Sequence, residues 1–235
     1  MDTKRFNIKS LPLYRKIKAN YELLNTRTIN ISDIYNTISL CAELTSEYDE
    51  SHDMNHHIDV FVHTINIYLQ LRATIENIEI ILPHILYAAL LHDTIDYKYP
   101  KDLEYKQKKV DKFLKNNMGD KWLDVKWIID NMSYSKEVKN GYPLHSDKMV
   151  QLARDIVSDA DKLEAIGDIG IIRATQYGKV LRPHASEEEI RKLVVQHCYD
   201  KLLKIKDQYI RTAPAKQMAV PCHQILVDFI NKYGN

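Results

Sequence analysis

Two His-Asp dipeptides, His52-Asp53 and His92-Asp93, are the first features of the sequence that suggest chemistry. With 10 His and 20 Asp in 235 residues, chance alone supplies about one such dipeptide, so the motif by itself carries little weight. The setting of the second is more informative, because it directly follows YAALL, an apolar run that places Asp93 at the edge of a core. A buried carboxylate without a partner costs several kcal/mol, so Asp93 calls for a cation or several hydrogen bonds. A divalent metal would satisfy His92 and Asp93 together. The plainer alternative is a helix C-terminus at which His92 meets the dipole and Asp93 turns back to solvent.

The same demand arises in SDADKLEAIGDIGIIRA, residues 158–174, where Asp161 lies among Ala160, Leu163, Ala165 and Ile166. At helical spacing Asp161, Glu164 and Asp168 share one face, and at least one of them should meet positive charge. An internal salt bridge to Lys162, Arg154 or Arg173 would serve as well as a metal. His56 offers a second imidazole, although a lone His at a helix start is more often a cap or a packed ring. Taken together, His56, His92, Asp93 and Asp161 come from three expected helices. Two imidazoles with two carboxylates suit Mn, Fe, Co, Ni, Zn or Mg in an octahedral shell completed by water.

The elements that must position these residues are all helical by pattern, with almost no strand-like alternation. Ser32 and Asp33 are placed to cap a helix running to about Thr45. A polar break from Ser46 to Asn55 follows, and Val60, Thr64, Ile67 and Leu71 then mark one face of the next helix. Pro83 suits the first turn of a helix reading HILYAALLHD, whose apolar residues run nearly all the way round, as in a helix at the centre of a fold. Residues 110–116 and 122–132 read as short peripheral helices. Met149 to Ala174 reads as one long apolar stretch interrupted by acids. Ser186 with Glu189 forms a capping box for a helix to about Ile210, and a last helix spans about Lys216 to Phe229. No internal repeat and no long polar linker divides the chain, so an all-α, single-domain helical bundle is expected.

Composition narrows the function classes. The 33 Lys plus Arg nearly balance 32 Asp plus Glu, leaving a net charge of +1 and no field over the whole surface to hold a polynucleotide or an anionic membrane. The Lys-rich stretch from Lys98 to Lys115 is the exception. Three separated cysteines without a CxxC pair argue against a disulfide framework or a thiolate zinc site, and point to a reducing, cytoplasmic compartment. No apolar run reaches the roughly 18 residues of a spanning helix, and the segment MDTKRFNIKS lacks the apolar centre of a signal peptide.

HDMNH at 52–56, LLHDTIDYKY at 90–99, SDADKLEAIGDIGIIRA at 158–174 and the closing HCYDKLLKIKDQY resemble the HD-domain metal-dependent phosphohydrolases, most closely the small single-domain bacterial type. The resemblance covers roughly residues 30–232 and leaves 1–29 as an N-terminal extension expected to pack on the core. It implies that His56, His92, Asp93 and Asp161 are the metal ligands, with His52 and His57 as neighbours that complicate the count. Asp96 matches an acidic position of the family, one turn beyond Asp93, and is the expected general acid or base. Two positions depart from the pattern: Asp59 stands where many relatives carry Arg, and Lys179 follows Gly178 where relatives often have a second Gly.

A divalent metal activates water and polarises a phosphoryl oxygen, so hydrolysis of a phosphoester or pyrophosphate bond is the expected reaction. The resemblance makes the substrate a small phosphorylated molecule, a nucleotide. Lys98, Lys162 and Arg173 are the nearest cations in sequence for its phosphates. Tyr97, Tyr99 and Tyr177 suit either base stacking or core packing, and His197 and Lys201 suit support from outside the site. Two alternatives accompany this reading: a non-catalytic nucleotide- and metal-binding sensor or scaffold, and a plain bundle whose His and Asp residues form salt bridges.

Overall fold

The computed structural model describes residues 12–48, 54–95 and 101–234, and among them every regular element is helical. The chain divides between Val157 and Ser158 into two compact units. The first holds α1 (Pro12–Leu24), α2 (Ile31–Leu44), α3 (Met54–Leu71), α4 (Leu82–Leu91), α5 (Leu103–Met118), α6 (Trp122–Asn131), α7 (Tyr134–Asn140) and the start of α8 (Lys148–Glu164). The second holds the rest of α8, then α9 (Gly167–Leu181), α10 (Glu187–His197) and α11 (Ala213–Tyr233).

In the first unit α4 is the central element. It packs against α2, α3 and α6, and every residue from His84 to Leu91 is buried, as its all-round apolar sequence requires. Pro83 sits in its first turn, where a missing N–H costs nothing. α3 buries Val60, Thr64 and Ile67 along the expected face. α1 lies against α3, with Ile17 and Leu24 buried. Lys16 of α1 pairs with Asp59, so the acid at the position where the resemblance leads one to expect Arg has a lysine partner on the neighbouring helix. Arg72 donates to the Leu24 carbonyl at 2.9 Å, closing the other end of the same seam.

In the second unit α9, α10 and α11 pack on one another. Ser186 and Glu189 form the expected capping box, with Glu189 accepting from the Ser186 N–H at 2.7 Å. Beyond α10 the chain continues as two π-helical turns, Cys198–Leu202 and Ile205–Tyr209, before α11 begins.

Several local expectations are corrected. Asn30, two residues before Ser32, is the N-cap of α2, and Asp33 instead accepts from the Asn30 N–H at 3.3 Å. α5 starts at Leu103, well before residue 110. α6 is not peripheral, because Val125 and Ile128 are fully buried and the helix packs on α4. The stretch from Met149 to Ala174 is two helices. The break is fixed by Gly167 at φ +74°, a left-handed conformation suited to glycine, and a Cβ there would sit 3.2 Å from Cys222 Cβ. Asp168 therefore belongs to α9 and is exposed, so the face shared with Asp161 and Glu164 does not exist.

Candidate metal centre

His56 occupies the first turn of α3, and His92 and Asp93 follow the last turn of α4. Because α3 and α4 pack together, the start of one and the end of the other bring these side chains to one point. The His56 and His92 Nε2 atoms lie 3.1 Å apart. Asp93 Oδ2 is 3.7 Å from His56 Nε2 and 3.5 Å from His92 Nε2. Both imidazoles are buried, at 6% and 7% exposure, whereas Asp93 keeps an edge toward solvent. Among the described residues, these three form the one group of His, Cys, Asp and Glu whose ligand atoms approach closely enough to hold a metal.

The tautomers support that role. His92 Nδ1–H donates to the Ala89 carbonyl at 2.8 Å, one turn back on α4, which leaves the lone pair on Nε2, facing His56. Such a backbone anchor behind a metal-binding imidazole fixes the ring and raises its basicity. Two nitrogens each about 2.1 Å from one ion at a right angle would stand about 3 Å apart, which is the separation found. Burial alone would raise the Asp93 carboxyl, but the neighbouring His92, then His56 and His57, more than reverse it and hold it well below the usual carboxylate range. The acid is therefore a carboxylate, the form that binds a metal.

His57 completes the surroundings. It is fully buried, with its ring centroid 5.0 Å from that of His92 and 6.0 Å from that of His56. The Leu90 backbone, in the last turn of α4, faces this ring. Burial, reinforced by the nearby His92, pushes this imidazole well below its ordinary value, so it stays neutral. A buried, neutral imidazole beside two others and a carboxylate suits a site built for a cation, and the donor set fits a divalent metal. In sequence His57 is legible only as the second member of a His-His pair.

The remaining sequence candidates are placed as follows. Asp161 lies in the last turns of α8, in the second unit, and is half-buried. Its neighbour Asp159 holds the start of α11, accepting from Thr212 N at 2.6 Å, Thr212 Oγ1 at 2.8 Å and Arg211 N at 2.9 Å. Lys162 is buried and donates to Ser158 Oγ at 2.6 Å. Arg173 is half-buried on α9. Asp96 and Lys98 lie outside the described residues, as do His52, Asp53, Tyr97 and Tyr99.

A helical fold carrying a His-His-Asp cluster, with the His-Asp dipeptide at the end of a central helix, defines the HD-type class. The comparisons with known proteins agree. An HD-superfamily hydrolase from Bacillus thuringiensis superposes with a TM-score of 0.61 at 28% identity, covering 86% of this chain and 95% of that one. The uncharacterized protein YpgQ of Bacillus subtilis is 29% identical over 147 residues, 62% of this chain and 68% of that protein. A crystal structure of YpgQ in complex with ADP superposes with a TM-score of 0.59 at 24% identity over 83% of this chain and 94% of that one. No family model matches the chain. In fold and in sequence the chain is thus similar to small bacterial HD-type proteins. Among the described residues, no helix is long and apolar enough to cross a membrane.

Proposed function

We propose that this protein is a metal-dependent phosphohydrolase that cleaves a phosphoester or pyrophosphate bond of a small phosphorylated substrate, a nucleotide, in the cytoplasm. The observation that carries the reading is the meeting of His56, His92 and Asp93, with like nitrogens 3.1 Å apart and a carboxylate oxygen within 3.7 Å of both. The ADP complex of YpgQ supports a nucleotide as the substrate class. The three cysteines, all free, support a reducing compartment.

A divalent ion, when bound, lowers the pKa of a water and polarises a phosphoryl oxygen. His56, His92 and Asp93 would hold it, and the family resemblance would assign the fourth position to Asp161. His92 is kept in the ligating tautomer by the Ala89 carbonyl. Asp96 serves as general acid or base. Lys98, Lys162 and Arg173 are the cations assigned to the substrate's phosphates, Lys162 acting from its place on Ser158.

The test has two stages. Protein purified without added ions is analysed for bound metal, and phosphate and pyrophosphate release are then measured on nucleoside mono-, di- and triphosphates with Mn²⁺, Mg²⁺ and Co²⁺. Turnover by the native chain supports the reading. Tight nucleotide binding without turnover would make the protein a sensor instead, and absence of metal affinity would reduce the cluster to a structural one. Asp96→Asn should keep the metal and lose rate; full activity in that variant would remove the acid-base assignment.

A further inference from the structure

Three lysines line the seam between α5 and the end of α2, and two of them are neutralised there. Lys101 pairs with both carboxylate oxygens of Glu47, at 2.8 and 3.0 Å, and Lys109 pairs with Glu43. Lys106, between them, has no carboxylate within salt-bridge reach among the described residues. Its Nζ instead donates to Tyr48 Oη at 3.2 Å and rests 4.3 Å from the centre of the Tyr48 ring. The residue is half-buried, so its stem is packed while its head is reachable.

Tyr48 ties this lysine to the candidate centre. Its hydroxyl donates to the Thr94 carbonyl at 2.9 Å, and Thr94 is the residue after Asp93. Thr94 is fully buried and held in place by its own hydroxyl, which donates to the Leu91 carbonyl at 2.7 Å. Two hydrogen bonds therefore link the Lys106 ammonium to the backbone carbonyl of the residue that follows the His-Asp motif. Having given its proton to Thr94, the Tyr48 hydroxyl meets Lys106 as an acceptor. An ammonium has three N–H donors, and Tyr48 takes one of them. The seam's other two lysines show that a carboxylate suffices where only cohesion is needed.

We infer that Lys106 binds a phosphate oxygen of the substrate at the His56, His92 and Asp93 centre, with Tyr48 aiming its ammonium. This rests on the phosphohydrolase reading and names a cation that the motifs do not. A substrate anion supplies the counter-charge that Glu47 and Glu43 supply to the neighbouring lysines.

The test uses the full chain loaded with Mn²⁺ and compares wild type, Lys106→Gln, Lys106→Arg and Lys101→Gln. The readouts are KM and kcat on the nucleoside triphosphates of the panel, the Kd of a methylene-bridged triphosphate analogue, the Kd of Mn²⁺ and the thermal midpoint. Lys106→Gln should raise both KM and the analogue Kd by about ten- to a hundredfold, as for a lost charged hydrogen bond. It should change kcat less and leave Mn²⁺ affinity and the thermal midpoint where they were. Lys106→Arg should recover most of the loss, and Lys101→Gln should behave as wild type. Unchanged KM and Kd in Lys106→Gln would overturn the proposal while leaving the phosphohydrolase reading intact. So would a fall in thermal midpoint and Mn²⁺ affinity that arginine does not repair, since that marks a structural lysine. If wild type neither binds nor hydrolyses any member of the panel, the reading itself falls and Lys106 with it.

Discussion

Two buried polar clusters of the first unit can be set side by side. One surrounds Arg154, which is fully buried: its Nη2 donates to Glu137 Oε2 at 2.8 Å, its Nη1 to Asp155 Oδ1 at 3.0 Å and its Nε to the Asn131 carbonyl at 2.9 Å. Tyr142 closes this cluster, donating to Asp155 at 2.7 Å with its ring 5.2 Å from the guanidinium carbon. The other holds His56, His57, His92 and Asp93. In the first, each nitrogen of the guanidinium meets an oxygen, and opposite charges face each other. In the second, two imidazole nitrogens meet at 3.1 Å, a third ring lies beside them, and one carboxylate oxygen stands within 3.7 Å of both. A buried polar cluster whose opposite charges balance is architecture; one that gathers three imidazoles around one carboxylate offers the donor atoms that an ion takes.

The largest expected effect tests the second cluster. Asp93→Ala removes its carboxylate, and turnover should fall to background with loss of stoichiometric metal, checked by elemental analysis and phosphate release. The metal-free variant should also lose some stability relative to the metal-free wild type, because the folded chain holds Asp93 as a carboxylate beside His92 and His56. A variant that keeps its metal would break the contrast. The first cluster should respond in the opposite way. Arg154→Ala leaves Glu137 and Asp155 without their partner and should cost about 3–5 kcal/mol of unfolding free energy, measured by urea denaturation. Metal affinity per folded molecule should not change. If instead Arg154→Ala were neutral for stability, the charge balance would not be what holds that region.

These clusters also mark what can be learned from the chain alone. His92-Asp93 is legible because an acid directly after YAALL conflicts with its surroundings, and the conflict is visible within ten residues. The centrality of α4 follows from the same run. Arg154 is one of three cations that the sequence offers to Asp161 and its neighbours, but its partner Glu137 comes from α7, and no local pattern points there. The break rests on the left-handed backbone of Gly167, with Cys222 close against it, and neither is visible in a pattern that reads as one continuous helix. Lys106 is hidden for a related reason: within a lysine-rich helix nothing singles it out until Tyr48, 58 residues away, lies beneath it.

Asp159 and Asp161 sharpen the comparison within a single turn of sequence. Burial pushes the Asp159 carboxyl up to about 6, against the downward pull of the Thr212 and Arg211 amides, the Thr212 hydroxyl and the Lys162 charge. Its hydrogen bonds define it as the anchor of α11, as complete as the Arg154 cluster. Asp159→Ala should therefore destabilise by about 2 kcal/mol, the combined scale of a lost cap and stranded amides. Asp161→Ala, by the proposed ligand role, should weaken metal binding with a smaller change in stability. Exchange of those two outcomes in paired urea and metal titrations would reverse the assignments of the two acids.

The smallest expected effect comes from a cluster of intermediate kind. His84, buried on α4, has Nε2 3.6 Å from Asp124 Oδ2, and the Ile80 backbone faces its ring one turn back. Burial, helped by Lys121, pushes this imidazole below its ordinary value and outweighs the opposing pull of Asp124 and of the Ile80 backbone. The folded chain thus takes up a proton at His84 less readily than the unfolded chain, whose imidazole titrates near 6.5. Stability from this group is present above pH 6.5 and drains away as the pH falls below it. Between pH 7.5 and 5.5 in EDTA, wild type should lose more unfolding free energy than His84→Gln, by at most about 1.4 kcal/mol, since one pH unit below the unfolded value bounds the difference. EDTA keeps the metal centre out of the comparison, and the remaining histidines cancel because both proteins carry them. Equal losses in the two proteins would mean that Asp124 satisfies His84 in both protonation states, and that this cluster is closed in the way that the one at Arg154 is.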